Sequence, residues 1–258
     1  NEFFNTDTGK KFKNFLNQTD VICAANVICH IPDLGNLFEA VDLCLNKNGV
    51  FIFEEPYMGS MFSKVSYDQI YDEHIYMFST SSVSKICKLY DMELINVIKQ
   101  NTHGGSLRYI CARKNTHKID SNVKKLLDEE KNNNLDNLKS FFKFKEDCED
   151  SKLKLRKKLH NFKSSGKKIC GYAATSKSTT ILNYCDIGND VIDYICDTTK
   201  EKIEKFSPGK HVPIKSMDYF YQNLPDVAFL FAWNHKEEIF EKEKQFSKTG
   251  KWTAHVEL

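Results

Sequence analysis

The sequence predicts an α/β protein with two compact parts and a helical segment between them. Short apolar runs alternate with amphipathic helical patterns over residues 1–118, and the same alternation returns over residues 166–258. Residues 119–165 are instead rich in Lys, Glu and Asn, with apolar residues at intervals of three and four. A chain of 258 residues is long enough for two hydrophobic cores.

The first part is predicted to begin with a short strand, a helix and a second strand. The helix is expected to end at Asn48-Gly49, a pair typical of turns. A further helix and two strands should follow, the helix with Ser79 or Thr80 near its N-cap. The predicted elements are Val21–Ala25, Asn36–Leu45, Val50–Phe53, Ser81–Tyr90, Leu94–Lys99 and Leu107–Arg113.

The middle segment and the last part have distinct patterns. The apolar residues of the middle segment predict one face of a long helix or helix pair. A connector between the two parts is favoured over a coiled-coil-like surface for a partner. These residues are Leu135, Leu138, Phe141, Phe142, Leu155, Leu159 and Phe162. The last part should contain the strands Lys168–Tyr172, Val191–Cys196 and Val227–Phe231, each followed by a polar loop and a helical pattern.

Composition excludes several classes of protein. A net charge of +2 with 28% charged residues gives no electrostatic case for nucleic acid or an anionic membrane. Apolar runs are shorter than the roughly 20 residues of a membrane span, and no secretory signal is visible. The nine cysteines form no C-x-x-C pair, so we expect a reduced, cytoplasmic protein whose cysteines bind no metal.

The most informative stretch is Tyr67–His74, which follows a buried-looking strand ending in Glu54-Glu55-Pro56. It contains two tyrosines, three acids and a histidine in eight residues. Polar groups after a strand are where α/β enzymes place proton-transfer chemistry, and a carboxylate can tune an imidazole into a base. A solvated loop or helix is the alternative. The other histidines His117, His160 and His255 are expected at the surface.

Four blocks, in this order along the chain, resemble the sugar C-methyltransferase family. They are DVICAANVICHIPD at residues 20–33, YDQIYDEHIYMFS at 67–79, HGGSLR at 103–108 and GYAATSKSTT at 171–180. Family members use S-adenosylmethionine to methylate a carbon of a nucleotide-linked keto-deoxysugar. The resemblance implies that residues 1–118 form the C-terminal part of a class I, Rossmann-like methyltransferase domain whose last strand is antiparallel. It also implies that residues 166–258 form a second Rossmann-like domain.

Two features of that family have no counterpart in this sequence. Its members usually start with a cysteine-rich zinc-binding domain, followed by a Gly-rich loop after the first strand of the methyltransferase fold. No G-x-G-x-x-G occurs here. We therefore expect a fragment or natural truncation that begins inside the cofactor domain. The expected cofactor is S-adenosylmethionine, with zinc only in the missing N-terminal region.

The resemblance assigns catalytic roles to three residues and cofactor contacts to two. His74 is the expected base that removes the proton α to the ketone. Glu73 would orient or tune the imidazole, and Tyr71 would donate a hydrogen bond to the ketone or enolate oxygen. Asn26 and His30, just beyond the first strand, are expected to line the cofactor pocket.

Polar loops supply the expected contacts with a nucleotide-linked sugar. The turn His103, Gly104 and Gly105 could form an oxyanion or phosphate cradle, or could be only a tight turn between strands. In a doubly wound sheet, loops at the carboxyl edge of the strands bind ligands. The residues expected there are Ser176, Lys177, Ser178, Thr198, Thr199, Asn234 and His235. A purely structural role for residues 166–258 is the alternative.

The expected function is C-methylation of a carbon α to the ketone of a nucleotide-linked 4-keto-deoxysugar by a monomeric enzyme. A non-catalytic nucleotide-sugar binding or scaffold protein would also explain the missing Gly-rich loop. A methyltransferase acting on another acceptor would keep the fold and change only the substrate.

Overall fold

The computed structural model describes residues 2–258, which form two compact units. The first contains the residues up to Phe62 together with Asp72–Phe141. The second contains Ser63–Tyr71 together with Phe142–Leu258. The division falls inside the predicted connector, residues 119–165, and the stretch Tyr67–His74 contributes residues to both units.

The first unit is built on a four-stranded mixed sheet of order β1-β2-β4-β3. Strand β1 runs parallel to β2, whereas β4 is antiparallel to both β2 and β3. The antiparallel last strand confirms the expectation from the resemblance. The strands are β1 (Thr19–Ala25), β2 (Leu45–Pro56), β3 (Met92–Gln100) and β4 (Ser106–Arg113).

Apolar side chains of three helices, Leu34–Cys44, Thr80–Leu89 and Ser121–Asn132, pack with this sheet in one core. Aromatic rings of β2 and β4, those of Phe51, Phe53 and Tyr109, stack at the centre of the core. Side-chain oxygens cap four of the helices: those of Asn5, Asp33, Ser79 and Asp120 accept main-chain N–H groups at the first turns of α1, α2, α4 and α5. The helices are α1 (Thr6–Lys11), α2 (Leu34–Cys44), α3 (Met58–Lys64), α4 (Thr80–Leu89) and α5 (Ser121–Asn132).

The prediction that Asn48-Gly49 closes the preceding helix is wrong, because that helix ends at Cys44 and strand β2 begins at Leu45. Pairing with β1 shifts register between Thr19 and Val21, which is the signature of a bulge. A Cβ at Gly49 would lie 2.7 Å from the carbonyl oxygen of Thr19. The glycine therefore allows close approach of the neighbouring backbone and does not end a helix.

The predicted connector forms two helices, α5 and the 27-residue α6 (Leu138–Ser164). Leu155 and Leu159 of α6 lie in the core of the second unit, as their spacing predicts. Leu138 and Phe142, at the start of α6, are 74% and 65% exposed, so the apolar face is not buried along its whole length. None of the helices within residues 2–258 is long and apolar enough to span a bilayer.

The second unit has a five-stranded, all-parallel sheet of order β7-β6-β5-β8-β9. Every residue of the three central strands is buried, as expected for a parallel sheet with both faces covered. The strands are β5 (Ile169–Tyr172), β6 (Tyr194–Asp197), β7 (Ile214–Ser216), β8 (Val227–Leu230) and β9 (Lys251–Thr253). The remaining helices are α7 (Ser176–Tyr184), α8 (Met217–Gln222), α9 (Lys236–Lys242) and α10 (Lys244–Thr249).

The order of this sheet positions its ligand crevice. The chain starts at β5, adds β6 and β7 on one side, then returns to add β8 and β9 on the other. This is the doubly wound, Rossmann-like arrangement, and the change of direction lies between β5 and β8. The loops that leave these two strands diverge, so a crevice opens at their carboxyl ends. An α/β, Rossmann-like fold is thereby confirmed.

Candidate active site

Two buried carboxylates at the end of β2 organise the polar edge of the first unit. Because β1 and β2 are parallel, their carboxyl ends meet at the same edge of the sheet. Glu54 and Glu55 are 9% and 0% exposed there. Side chains of successive strand residues point to opposite faces, so the two carboxylates have separate partners.

Glu55 fixes the loop after β1. One oxygen of its carboxylate accepts the main-chain N–H groups of Val27 at 3.0 Å and Ile28 at 2.6 Å. Asn26, in the left-handed region with φ 54°, donates its N–H to the carbonyl of Glu54 at 2.9 Å. These bonds start the short 3₁₀ helix Ile28–His30, which carries the next two functional side chains.

His30 and His74 come together at this edge although they are far apart in sequence. Their ring centroids lie 5.2 Å apart. The carbonyl of Cys29 accepts N–H groups from Ile75 at 3.0 Å and Tyr76 at 3.3 Å, which ties the segment after His74 to the 3₁₀ helix. The sequence assigned His30 and His74 to different tasks, cofactor binding and catalysis, and the structure makes them neighbours.

The tautomer of His30 follows from its hydrogen bond. Its Nδ1 lies 2.7 Å from the main-chain carbonyl oxygen of Glu73. Since a carbonyl only accepts, Nδ1 carries the proton and Nε2 of the neutral ring presents a lone pair. The bond orients the imidazole beside His74, which is half-buried.

Cys29 completes a three-residue group. One ligand atom each from Cys29, His30 and His74 lies within 4.8 Å of the other two. Among residues 2–258 this is the only cluster of three or more His, Cys, Asp or Glu side chains with that geometry. Burial, with the Glu55 carboxylate beside it, raises the pKa of the Cys29 thiol well above its usual range, so the sulfur is protonated.

Glu73 and Tyr71 are placed differently from what their sequence neighbourhood suggested. Glu73 is exposed, and its hydrogen bond with His30 comes from its main chain and not its carboxylate. Tyr71 is half-buried and groups with the second unit, whereas Glu73 and His74 group with the first. The roles predicted for these two side chains stay predictions.

The turn His103-Gly104-Gly105 has a structural explanation in the strained backbone between β3 and β4. His103, Gly104 and Gly105 all have positive φ, at 52°, 82° and 129°. A Cβ on Gly105 would lie 2.4 Å from Oγ of Ser60, so only glycine fits. A role in binding substrate stays a prediction.

Glu54 holds this turn through charge-assisted hydrogen bonds. Its carboxylate accepts from Oγ1 of Thr102 at 2.7 Å and from Nη2 of Arg108 at 2.8 Å. Neither Glu54 nor Glu55 was predicted as a site residue. The signal was present in the sequence, because two consecutive carboxylates closing an apolar strand need buried partners.

In the second unit, Asp197 orders the loops at the crevice. Its carboxylate accepts the N–H groups of Ala174 at 2.6 Å and Thr199 at 2.7 Å. Nζ of Lys202 donates to the carbonyl of Ala174 at 2.7 Å. The loops after β5 and β6 are therefore joined by a buried anion, and the main-chain donor of Thr199 is already used.

Lys177 differs from its expected place in an open phosphate-binding loop. It is only 9% exposed, its Nζ donates to Oδ1 of Asn234 at 3.1 Å, and it lies 5.2 Å from the centroid of the Trp233 ring. Burial lowers the pKa of Lys177, and the negative charge of Asp68 partly opposes that shift. The structure thus brings Lys177 and Asn234 together, and their side chains bond each other.

Of the hydroxyl groups near Lys177, two cap helix α7 and one is exposed to solvent. The Thr175 side chain accepts the N–H of Ser178 at 3.2 Å, and the Ser178 hydroxyl donates back to the Thr175 carbonyl at 2.6 Å. These bonds cap helix α7. Ser176 is exposed and remains the accessible hydroxyl of the predicted trio.

A cavity of about 320 Å³ lies at the carboxyl ends of β5, β6 and β8. Its polar lining consists of Asp197, Thr198, His235, Glu238 and Lys242. Tyr172, Met217 and Ile239 provide apolar surface. The structure therefore brings Thr198 and His235 of the predicted set into one cavity at the change of strand direction.

The second unit also contains a sealed polar cluster around Asp68. The Asp68 carboxylate accepts from Nε1 of Trp233 at 2.8 Å and bonds Nε2 of His255 at 3.0 Å. The His255 and Asp68 side chains are 1% and 0% exposed, so the prediction of His255 as a surface residue is wrong. Burial opposes ionisation of Asp68, but the interactions with His255, Lys177 and Trp233 together outweigh it and lower the pKa of Asp68.

Comparison with known proteins shows the family. The family model described as the C-methyltransferase C-terminal domain matches residues 101–256, and the model described as a methyltransferase domain matches residues 3–97. The first match covers more than half of the chain. This chain belongs to the C-methyltransferase family.

A curated relative agrees with this assignment. The chain is 27% identical over 248 residues to C-methyltransferase NovU of Streptomyces niveus. The match covers 96% of this chain and 59% of that protein, so the chain spans about three fifths of the length of its relative.

Proposed function

We propose that the complete protein transfers a methyl group from S-adenosylmethionine to a carbon α to the ketone of a nucleotide-linked 4-keto-deoxysugar. The family assignment supports methyl transfer to carbon. The observation that carries the proposed mechanism is the His30–His74 pair at the carboxyl edge of a parallel strand pair. The sugar and its nucleotide are proposed from the four sequence blocks.

His74 is proposed as the general base. It is half-buried and therefore reachable by a substrate, and its ring lies 5.2 Å from that of His30. In the neutral form of His30, Nε2 can accept a hydrogen bond from His74 after His74 has taken a proton. Removal of the α-proton leaves an enolate, whose oxygen requires a hydrogen-bond donor for its stabilisation.

S-adenosylmethionine would supply an electrophilic sulfonium methyl group, and this chain would bind part of it. Asn26 fits that role because its side chain is exposed at the carboxyl end of β1, on a loop fixed by Glu54 and Glu55. Its amide can donate to and accept from hydroxyl or carboxylate groups of the cofactor. The exposed side chain of Val27 offers adjacent apolar surface.

The second unit is proposed to hold the nucleotide part of the substrate. Thr198 and His235 face the cavity of about 320 Å³, and the exposed Ser176 lies at the start of helix α7 after β5. Hydroxyl and imidazole donors suit phosphate oxygens. Thr199 and Asn234 would act by orienting these loops, since the Thr199 N–H and the Asn234 amide oxygen already have partners.

The proposal is tested by product analysis with the complete protein. It is incubated with a nucleotide-linked 4-keto-deoxysugar and methyl-labelled S-adenosylmethionine, and the labelled carbon is located by NMR. We expect a new C–CH₃ group at the position next to the ketone. A methyl group on oxygen or nitrogen would reject carbon methylation. Nucleotide-sugar binding without any transfer would favour the non-catalytic alternative.

A further inference from the structure

We propose that Cys29, His30 and His74 form a Zn²⁺ site, with three protein ligands and a fourth position open to solvent. This site goes beyond the proposed methyl transfer and contradicts the expectation that the cysteines bind no metal. One thiolate and two imidazoles with an open position form a mixed sulfur and nitrogen set that suits zinc, a borderline-soft ion.

The geometry of the apo group is close to what zinc needs. Its three ligand atoms lie within 4.8 Å of one another. Tetrahedral Zn²⁺ with bonds of about 2.0–2.3 Å separates its ligands by roughly 3.3–3.8 Å. A contraction of at most about 1–1.5 Å is needed. Rotation of the half-buried His74 side chain can provide it while His30 keeps its hydrogen bond.

His30 is held in the state that a metal requires. The Glu73 carbonyl accepts the N–H of Nδ1, which leaves Nε2 as the ligand atom of the neutral ring and fixes its direction. Metal-binding histidines almost always donate their second ring N–H to a carbonyl or carboxylate in this way. The hydrogen bond is therefore an observation that points to a ligand independently of the three-residue cluster.

Glu55 supplies charge compensation. Its buried carboxylate lies beside the Cys29 thiol. On binding, the S–H bond breaks, the proton leaves to solvent, and the sulfur electron pair forms the bond to zinc. The dipositive ion then faces two negative charges, the Cys29 thiolate and the Glu55 carboxylate. One proton should be released per ion bound.

The site implies control of catalysis, and this step rests on the proposed function. A metal on His74 uses the lone pair with which the imidazole would remove the substrate proton. Zinc should therefore inhibit methyl transfer reversibly, and a chelator should restore it. Metal binding is measured without substrate or cofactor. Inhibition of methyl transfer is measured in a separate experiment.

The binding test uses Co²⁺ as a spectroscopic probe of the reduced 258-residue chain. We expect one Co²⁺ per chain, with a thiolate-to-cobalt charge-transfer band and the visible bands of tetrahedral cobalt, both abolished by added Zn²⁺. Cys29→Ser should remove the charge-transfer band. His30→Asn should weaken binding by more than the roughly 10–100-fold typical of losing an outer-shell partner.

The control is Cys23→Ser, which changes an exposed cysteine on the neighbouring strand and should leave the spectrum unchanged. Circular dichroism shows whether each variant is folded, and a folded His30→Asn decides the matter if Cys29→Ser is not folded. No charge-transfer band in the wild-type chain, or a band that persists in Cys29→Ser, would overturn the site. The charge-transfer band could respond to the substitutions as expected while Zn²⁺ fails to inhibit methyl transfer by the complete protein. That result would confirm the metal site and show that His74 is not the base.

Discussion

The two units each place a histidine near a carboxylate, but only one of these clusters is open. In the first unit, His30 and His74 are half-buried beside Cys29, and the Cys29 thiol lies next to the sealed carboxylate of Glu55. In the second unit, the side chains of His255 and Asp68 are 1% and 0% exposed. The open pair can exchange protons with a ligand, and the sealed pair can only stabilise the fold.

Both clusters draw on the same eight-residue stretch. Asp68 contributes to the sealed cluster and His74 to the open one, although they are six positions apart. Residue type therefore does not distinguish a catalytic carboxylate or imidazole from a structural one. Exposure to solvent distinguishes them. Removing the partner of a buried charge lowers the free energy of unfolding by several kcal/mol, so a buried charge stays paired with a protein group.

The largest effect is expected at the open cluster. His74→Asn in the complete protein should lower kcat by about 10²–10⁴ with little change in KM, because a base acts on the transition state. Steady-state kinetics measures both. The control is His117→Asn, a half-buried histidine of the same unit that bonds Thr116. Equal losses in the two variants would place the effect on folding and not on catalysis.

Substitutions in the sealed cluster should lower the stability of the second unit. Asp68→Ala removes the partner of Trp233 and His255 and should lower the free energy of unfolding of the second unit by about 3–5 kcal/mol. Both tryptophans, Trp233 and Trp252, lie in that unit, so urea unfolding followed by tryptophan fluorescence reports on it selectively. Asp72→Ala, an exposed acid of the same stretch, should change stability by less than about 0.5 kcal/mol. An equal loss in the free energy of unfolding for both substitutions would show that the buried contacts of Asp68 do not stabilise the second unit.

Acid should weaken the sealed cluster in a defined pH range. The pKa of Asp68 is lowered on folding, so its stabilising contribution is complete above its unfolded pKa of about 3.9 and is lost as pH falls through the lower folded value. Asp68→Asn should therefore flatten the decrease in second-unit stability below about pH 4. The measurement is the urea midpoint as a function of pH. An unchanged slope in Asp68→Asn would mean that other carboxylates cause the acid sensitivity.

A smaller effect is expected for Glu54, which links the open edge to the turn after β3. Glu54→Gln keeps the size of the side chain but weakens its bonds to Thr102 and Arg108, and should cost about 1–2 kcal/mol. Hydrogen exchange of the β2 and β4 amides reports this loss. Glu129→Gln, which breaks the exposed pair with Lys99, should cost about 0–1 kcal/mol. A cost for Glu129 as large as that for Glu54 would show that burial does not determine the difference.

The sequence predicted the elements better than the contacts. Periodicity placed β4 from Leu107 and found the Ser79 cap of α4, because those signals are local. It misread Gly49, whose role depends on the approach of the Thr19 backbone from another strand.

Contacts over long sequence separations were missed for the same reason. Asp68 and His255 are 187 positions apart, and no local pattern joins them. Lys177 was predicted to contact phosphate from an open loop, and its burial against Trp233 and Asn234 depends on the fold of the β8 loop. His30 and His74 were both singled out, and only the tertiary structure shows that they belong to one group.

The most direct test of the open cluster is exchange of the α-proton of the substrate in heavy water without S-adenosylmethionine. This measurement isolates proton removal from methyl transfer. If His74 is the base, the wild-type complete protein exchanges the proton next to the ketone, and His74→Asn slows that exchange by about 10²–10⁴ while still binding the nucleotide-linked sugar. Exchange at the wild-type rate in His74→Asn would contradict the account.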